Sequence, residues 1–251
     1  MVAIGQPQHG WIYLGKNRLH RLDFLLRLTS ARSSFHKITL IPGETTVIFL
    51  RQLAKKLDLN ETKLMQSYQA QSQFKEAGIL AESYHISSNL KEKGVIKYLL
   101  KYSSGVYKKL SIKQSDAWDI PGWTRLLTVA SIIQKEAANK AEMPIVASVI
   151  YNRLRKNMRL QMDGTLNYGE YSHIRVTPKR IKGDKTTFNT YKHRGLPNYP
   201  VCTVSMDAIR AAIHPAKTDY LYFMKGKNGT HDFSKDYKTH LKHVKKKRVK
   251  R

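Results

Sequence analysis

The chain has a single cysteine, Cys202, in 251 residues. One thiol excludes an internal disulfide and any zinc site built on several cysteines. It leaves the compartment open, since exported proteins need no disulfide. Acidic residues are also scarce: 18 Asp and Glu stand against 45 Lys and Arg, a formal net charge of +27. The expected partner is a polyanion or an anionic surface: nucleic acid, acidic lipid headgroups or peptide-bearing cell-wall polymer. No apolar run approaches the roughly 18–20 residues needed to span a bilayer. Residues Met1 to Gly10 are polar and do not form a signal peptide. The expectation is either a cytosolic protein or a chain that begins downstream of its targeting segment.

Several reactive motifs are missing as well. There is no Gly-x-Ser-x-Gly elbow, and Cys202 has no recognisable partner, so it reads as a small buried thiol. Gly195-Leu196-Pro197 is a tight turn and not a phosphate-binding loop. The 10 histidines are scattered. His240 and His243 share a helical face, but in a basic tail where cation repulsion opposes metal capture. No metal and no cofactor is expected.

What is present is enough apolar residue, 41%, for a real core. The length suits one large domain or two small ones. Short strand or helix candidates occur around Trp11–Leu14 and Leu22–Leu26. Lys37–Ile41 reads as a strand and Pro42–Thr45 as a turn. Thr45 or Thr46 is positioned to cap a helix from Val47 to Leu57, and Asn60 to start another with Leu64, Met65 and Tyr68 on one face. A connecting region follows, with a helical stretch from Gly94 to Tyr102, ending at the breaker Pro121-Gly122. Leu126–Ala137 reads as one amphipathic helix, and Pro144 opens the next, through Leu154. Asn157 to Val204 is loop-rich and polar, the kind of segment that carries binding or catalytic groups. Ser205 caps a short helix ending at His214-Pro215. Tyr220–Met224 is a strand, Asn228-Gly229 a hairpin turn and His231 the start of the return limb. The terminal run Lys245–Arg251 reads as a solvated basic tail. The fold class is α+β.

Glu136 is the most informative residue. At about 100° per residue it falls between Val129 and Ile132 on the helical wheel, at the border of the apolar face, with Lys135 roughly opposite. A carboxyl held against apolar neighbours resists ionisation and can serve as a general acid near neutral pH. The plain alternative is a surface pair with Lys140 at i+4. The polar loop offers Asp163, Glu170 and Asp184 as further carboxylates. Asp163 suits a site role or a turn-forming role equally. Tyr168, Asn189 and Tyr191 can grip a sugar or scaffold the loop. A non-catalytic basic protein that binds cell-wall polymer or nucleic acid by charge stays open as the alternative function.

Six ordered blocks resemble one family, the endolytic murein transglycosylases (MltG, YceG-like). They are Val129–Glu136, Val146–Leu154, Met158–Gly169, Phe188–Tyr191 with Gly195-Leu196-Pro197, Ala212–Phe223, and the His231-x-Phe233 pair. Lys37–Thr45 resembles, more loosely, the family's LysM-like module. The chain departs from the family pattern at Ala137, where threonine is usual, at Gly164, where proline is usual, and at Val204-Ser205-Met206, where an Asn/Thr-Pro-Gly corner is usual.

The resemblance implies a small LysM-like α+β module followed by a mixed α+β catalytic domain. The division would be 1–36, an N-terminal segment lacking its anchor; 37–92, the module; 93–123, a connecting region; and 124–251, the catalytic domain with its basic tail. It implies cleavage of the MurNAc-β-1,4-GlcNAc bond within nascent glycan strands, leaving a 1,6-anhydro-MurNAc end. Glu136 would be the catalytic residue. Gln161, Asp163, Thr165, Tyr168, Asn189 and Tyr191 would bind substrate. Partners would be peptidoglycan glycan strands, cell-wall synthases and, through an N-terminal anchor outside this chain, the bacterial inner membrane; nucleic acid would not be a partner. The catalytic part would face the periplasm or extracytoplasmic space.

Overall fold

The structure, a computed structural model, describes residues 18–30, 35–226 and 228–248. The segment around Trp11–Leu14 lies outside them. In chain order the elements are α1 (Arg21–Ser30), β1 (Phe35–Thr39), α2 (Thr46–Leu57), α3 (Glu61–Gln71), β2 (Ser83–Ser87), α4 (Glu92–Ser115), α5 (Ile120–Glu136), α6 (Met143–Arg155), α7 (Pro178–Gly183), α8 (Met206–Ile213), β3 (Tyr222–Lys225), β4 (His231–Ser234) and α9 (Tyr237–Arg248). The fold is mixed α+β, and among the described residues there are two separate two-stranded antiparallel sheets, β1–β2 and β3–β4.

β1 pairs with β2 in the register Ile38↔Tyr84, and Ile38, Tyr84 and Ile86 turn inward. Onto them pack Phe49, Leu50 and Leu53 of α2, and Leu64 and Tyr68 of α3. Asn60 caps α3 as its sequence suggests, accepting the Lys63 amide at 2.9 Å. Neither threonine caps α2 with its own side chain. The cap comes from Glu76, whose buried carboxyl accepts the amide and hydroxyl of Thr46. A carboxylate at a helix N-terminus also opposes the positive end of the helix dipole. Thr45 is thereby free to donate its hydroxyl to the Gly169 carbonyl, at 2.8 Å.

The second cluster is helical. Trp123, Leu127 and Ile133 of α5 meet Val146 and Val149 of α6 and Ile209 of α8. α4 belongs to both clusters: Val95, Ile96 and Leu99 face the first, and Tyr107 the second. Its 24 residues exceed the stretch expected from Gly94 to Tyr102, because buried positions recur at 99, 103, 107 and 111 and keep one face covered. Ser103 and Tyr107 pin the chain at the crossover. Ser103 Oγ accepts the Leu80 amide at 2.9 Å, and Tyr107 donates to the Ala77 carbonyl at 2.9 Å. Pro121-Gly122 does not break the chain but opens α5, since proline in the first turn has no amide to lose there.

Backbone bonds join the two lobes directly. Gly43 donates to Thr203, Thr203 to Glu44, and Ala81 to Val204, at 2.8–3.1 Å. The described part of the C-terminal basic run is helical, α9 reaching Arg248, with Lys245 and Lys246 exposed to solvent. Asp236 accepts the Thr239 amide and hydroxyl, and Tyr222 of β3 stacks on His240 at 5.3 Å.

A helix shared by two cores, with backbone bonds across the seam, makes them one cooperative unit. Leu99→Ala, in the first cluster, is expected to cost about 2–5 kcal/mol. The loss should appear as a shift of one single transition. Trp118 and Trp123 fluorescence in a Trp11→Phe background, compared with circular dichroism, checks it; two separated transitions would refute the coupling.

Candidate active site

α5 spends its polar side chains on the loops around it. Ser131 Oγ accepts the Val201 amide at 2.9 Å, and Gln134 Oε1 accepts the Ser205 hydroxyl at 2.8 Å. Lys135 points away and reaches Ser172 Oγ at 3.2 Å. Glu136 is the last helical residue, followed by Ala137 in extended conformation. Its Oε1 accepts the Gly164 amide at 2.6 Å. Lys140 does not pair with it; that ammonium meets Asp207 at 2.6 Å.

The Glu136 carboxyl is pushed up to about 7 from an ordinary 4.5. Burial drives the rise, the Gly164 hydrogen bond works against it, and the charge of Asp163 adds to it. The negative end of the α5 dipole acts in the same direction as Asp163. An acid with this value is half-protonated near neutral pH and suits proton transfer in both directions.

A cleft of about 220 Å³ opens in front of it, with Gln161, Asp163 and Tyr191 on its walls. Asp163 begins a 3-10 turn, Asp163–Leu166, and its Oδ1 accepts the Tyr191 hydroxyl at 2.7 Å. The side chain therefore serves the cleft and not the turn. Burial and the Asp163 carboxylate push the Tyr191 phenol well above its usual value, so it stays a donor. Gln161 is exposed at φ +50, a left-handed backbone that non-glycine residues seldom adopt, and its amide donates to Thr190.

Three of the anticipated site residues stand elsewhere. Asn189 is fully buried, with Nδ2 donating to the Ile181 and Asp184 carbonyls at 2.8 Å and Oδ1 accepting the Tyr191 amide. Thr165 is also buried and donates to the Met162 carbonyl at 2.7 Å. Both shape the loop beneath the cleft without facing it. Tyr168 stacks on Phe188 at 4.1 Å and donates to Asp184, in a separate aromatic cluster.

Among the lining residues that sequence reasoning missed are Arg153 and His231. Arg153 is buried and donates to the carbonyls of Leu221, Arg159 and Leu160. It fastens the β3–β4 hairpin to the polar loop. Both residues sit inside the recognised blocks, but their placement depends on contacts 68 and 89 positions apart in sequence.

A larger cavity, about 670 Å³, lies between α6 and the segment 213–219. Its one carboxylate, Asp219, is exposed and meets Lys235 at the surface, so it offers no buried acid. Among the described residues no group of three or more His, Cys, Asp or Glu is arranged to hold a metal ion. Cys202 is buried and its thiol is raised by that burial, far from a reactive thiolate.

This arrangement can be set beside known proteins. The model of the YceG-like family matches residues 6–246, nearly the whole chain. The chain belongs to the YceG-like family. A YceG-like protein from Listeria monocytogenes, solved by crystallography, superposes with a TM-score of 0.71 over 87% of this chain and 80% of that one, at 25% identity. The endolytic murein transglycosylase of Bacillus subtilis (strain 168) is 46% identical over 119 residues, 47% of this chain. That of Streptococcus pneumoniae serotype 2 (strain D39) is 36% identical over 104 residues, 39% of this chain. The matched stretch spans 33% of the Bacillus relative and 19% of the pneumococcal one.

For this YceG-like site two outcomes are expected. The fold holds Glu136 near 7, above the ordinary 4.5, and so favours its protonated form. That stabilisation is complete below about pH 4.5 and is lost as pH rises through about 7. Glu136→Gln should therefore gain up to about 3 kcal/mol over wild type at pH 8, and little at pH 4. Urea unfolding at the two pH values measures it. In Gly164→Ala a Cβ would lie 2.5 Å from Lys135 Cβ and 2.8 Å from Glu136 Oε1. The loop must shift and lengthen the amide bond, so the Glu136 carboxyl should titrate higher than in wild type, read by carbon NMR.

Proposed function

We propose that the chain carries the glycan-cleaving activity of an endolytic murein transglycosylase. It would cut the MurNAc-β-1,4-GlcNAc bond within peptidoglycan strands and leave a 1,6-anhydro-MurNAc end. The observation that carries this reading is the Glu136 carboxyl, held near pKa 7 in a cleft walled by Asp163 and Tyr191.

In the proposed reaction protonated Glu136 gives its proton to the glycosidic oxygen, and the C1–O bond breaks. The muramyl C6 hydroxyl closes on C1, and its proton passes to the Glu136 carboxylate. No water is consumed, and the acid is regenerated. Positive charge at C1 in the transition state is stabilised by the Asp163 carboxylate, which Tyr191 holds in place. A hydrolytic glycosidase would use the same pair of carboxylates to activate water. The product distinguishes the two.

The order β1–α2–α3–β2 supports reading residues 37–92 as a LysM-like module, with 124–251 as the catalytic part and α4 spanning the region between. Localisation at the cell wall, through an anchor in the bacterial inner membrane and on the extracytoplasmic side, follows from the same reading, with cell-wall synthases as partners. Among the described residues no helix is long and apolar enough to cross a membrane.

Mass spectrometry of digested peptidoglycan tests the chemistry. Wild type should release anhydro-muramyl products, and Glu136→Gln should lose at least about 100-fold in rate while remaining folded. Hydrated products would indicate hydrolysis. No cleavage by the wild type, with polymer binding that is indifferent to Glu136 and weakens steeply with salt, would favour the non-catalytic, charge-driven binding protein suggested by the net charge of +27. Because the acid form starts the reaction, kcat/KM should be level below about pH 7 and fall about tenfold per unit above it.

A further inference from the structure

His231, the first residue of β4, lines the cleft together with Glu136. It is held unusually firmly. Its Nδ1 lies 2.7 Å from Glu142 Oε2, and its backbone amide donates to Glu142 Oε1 at 2.7 Å. The Ala138 amide, two residues past Glu136, donates to Glu142 Oε2 at 3.2 Å. Glu142 is buried at the corner between α5 and α6. Burial opposes its charge, yet the ring and amide bonds from His231, with that of Ala138, outweigh it and hold the carboxyl below its ordinary value. An ionised carboxylate only accepts, so Nδ1 carries the proton. Phe223, across the sheet, packs edge-on against the ring at 5.2 Å and 80°. The ring is therefore fixed in direction with Nδ1 turned to Glu142, and Nε2 is the nitrogen left for the cleft, an acceptor when the ring is neutral.

A surface histidine needs no such clamp. A glycan-binding wall does need it, because a sugar hydroxyl or acetamide is selected by hydrogen bonds from rigid partners. We propose that Glu142 orients His231 so that Nε2 accepts a hydrogen bond from a hydroxyl or acetamide N–H of the bound glycan. His231 is then a substrate-positioning residue, set by the same helix corner that sets Glu136. This rests on the glycan-cleaving reading of the cleft.

The test uses the full chain carrying Glu136→Gln and 15N-labelled histidine, titrated with isolated glycan strands. The His231 signals are assigned by their loss in a further His231→Gln substitution. Nδ1 should be protonated in the free protein, and the Nε2 resonance should move as strands bind. In an otherwise wild-type chain, His231→Phe should raise KM about tenfold with a smaller change in kcat, and His231→Gln should recover part of that loss. An Nε2 resonance that stays still while strands bind, or an unchanged KM in a folded His231→Phe protein, overturns the inference. If the phenylalanine variant does not fold, the titration alone decides. Failure of the cleavage reading would be visible separately: wild type would make no anhydro ends even though the Nε2 signal moves.

Discussion

A carboxyl group and a loop amide, 2.6 Å apart, set the conditions for everything around the cleft. Glu136 stands at the point where α5 runs out of helix and of apolar cover. Several contributions meet on it. Burial favours the acid form, the nearby charge of Asp163 does the same, and the Gly164 amide favours the carboxylate. The balance falls at about 7, where neither form is expensive to reach. Such a value is usable only if the loop carrying Gly164 stays in place. The buried side chains of Thr165, Thr190 and Asn189 are bonded within that loop and hold it there.

Glycine at position 164 lets the loop approach the end of α5 this closely. A side chain there would collide with both Lys135 and the Glu136 carboxyl. A proline at this position would have no amide proton to give. Here the backbone does what a side-chain donor would otherwise have to do, and it places the donor within the turn that also carries Asp163. Neighbouring charge and hydrogen-bond donor thus come from two adjacent residues, Asp163 and Gly164, facing the helix end that carries the acid.

The wider frame makes this local geometry rigid. α4 runs through both hydrophobic clusters, and backbone bonds from Gly43, Glu44 and Ala81 reach Thr203 and Val204. Ser205, the next residue, is tied to Gln134 of α5. The N-terminal lobe is thereby connected to α5, which carries Glu136, through a few short steps. On the opposite wall Arg153 and the Glu142–His231 pair fasten the β3–β4 hairpin to the polar loop and the α5–α6 corner.

Local signals were legible in the residues themselves. Asn60 and Ser205 cap their helices, Gly229 turns the hairpin, and the border position of Glu136 is visible from period alone. These depend on neighbours within a few positions. The length of α4, the capping of α2 by Glu76 and the ordered C-terminal helix were not legible, because each relies on partners distant in sequence. The same limit governs the site. Tyr191 looked no different from Asn189 as a polar loop residue, yet the first lines the cleft and the second is buried beneath it. Sequence alone placed Glu136 on an apolar helix border, where a carboxyl resists ionisation. Only tertiary structure decided what surrounds it, because hydrogen bonds and cleft walls are made between segments that the chain keeps apart.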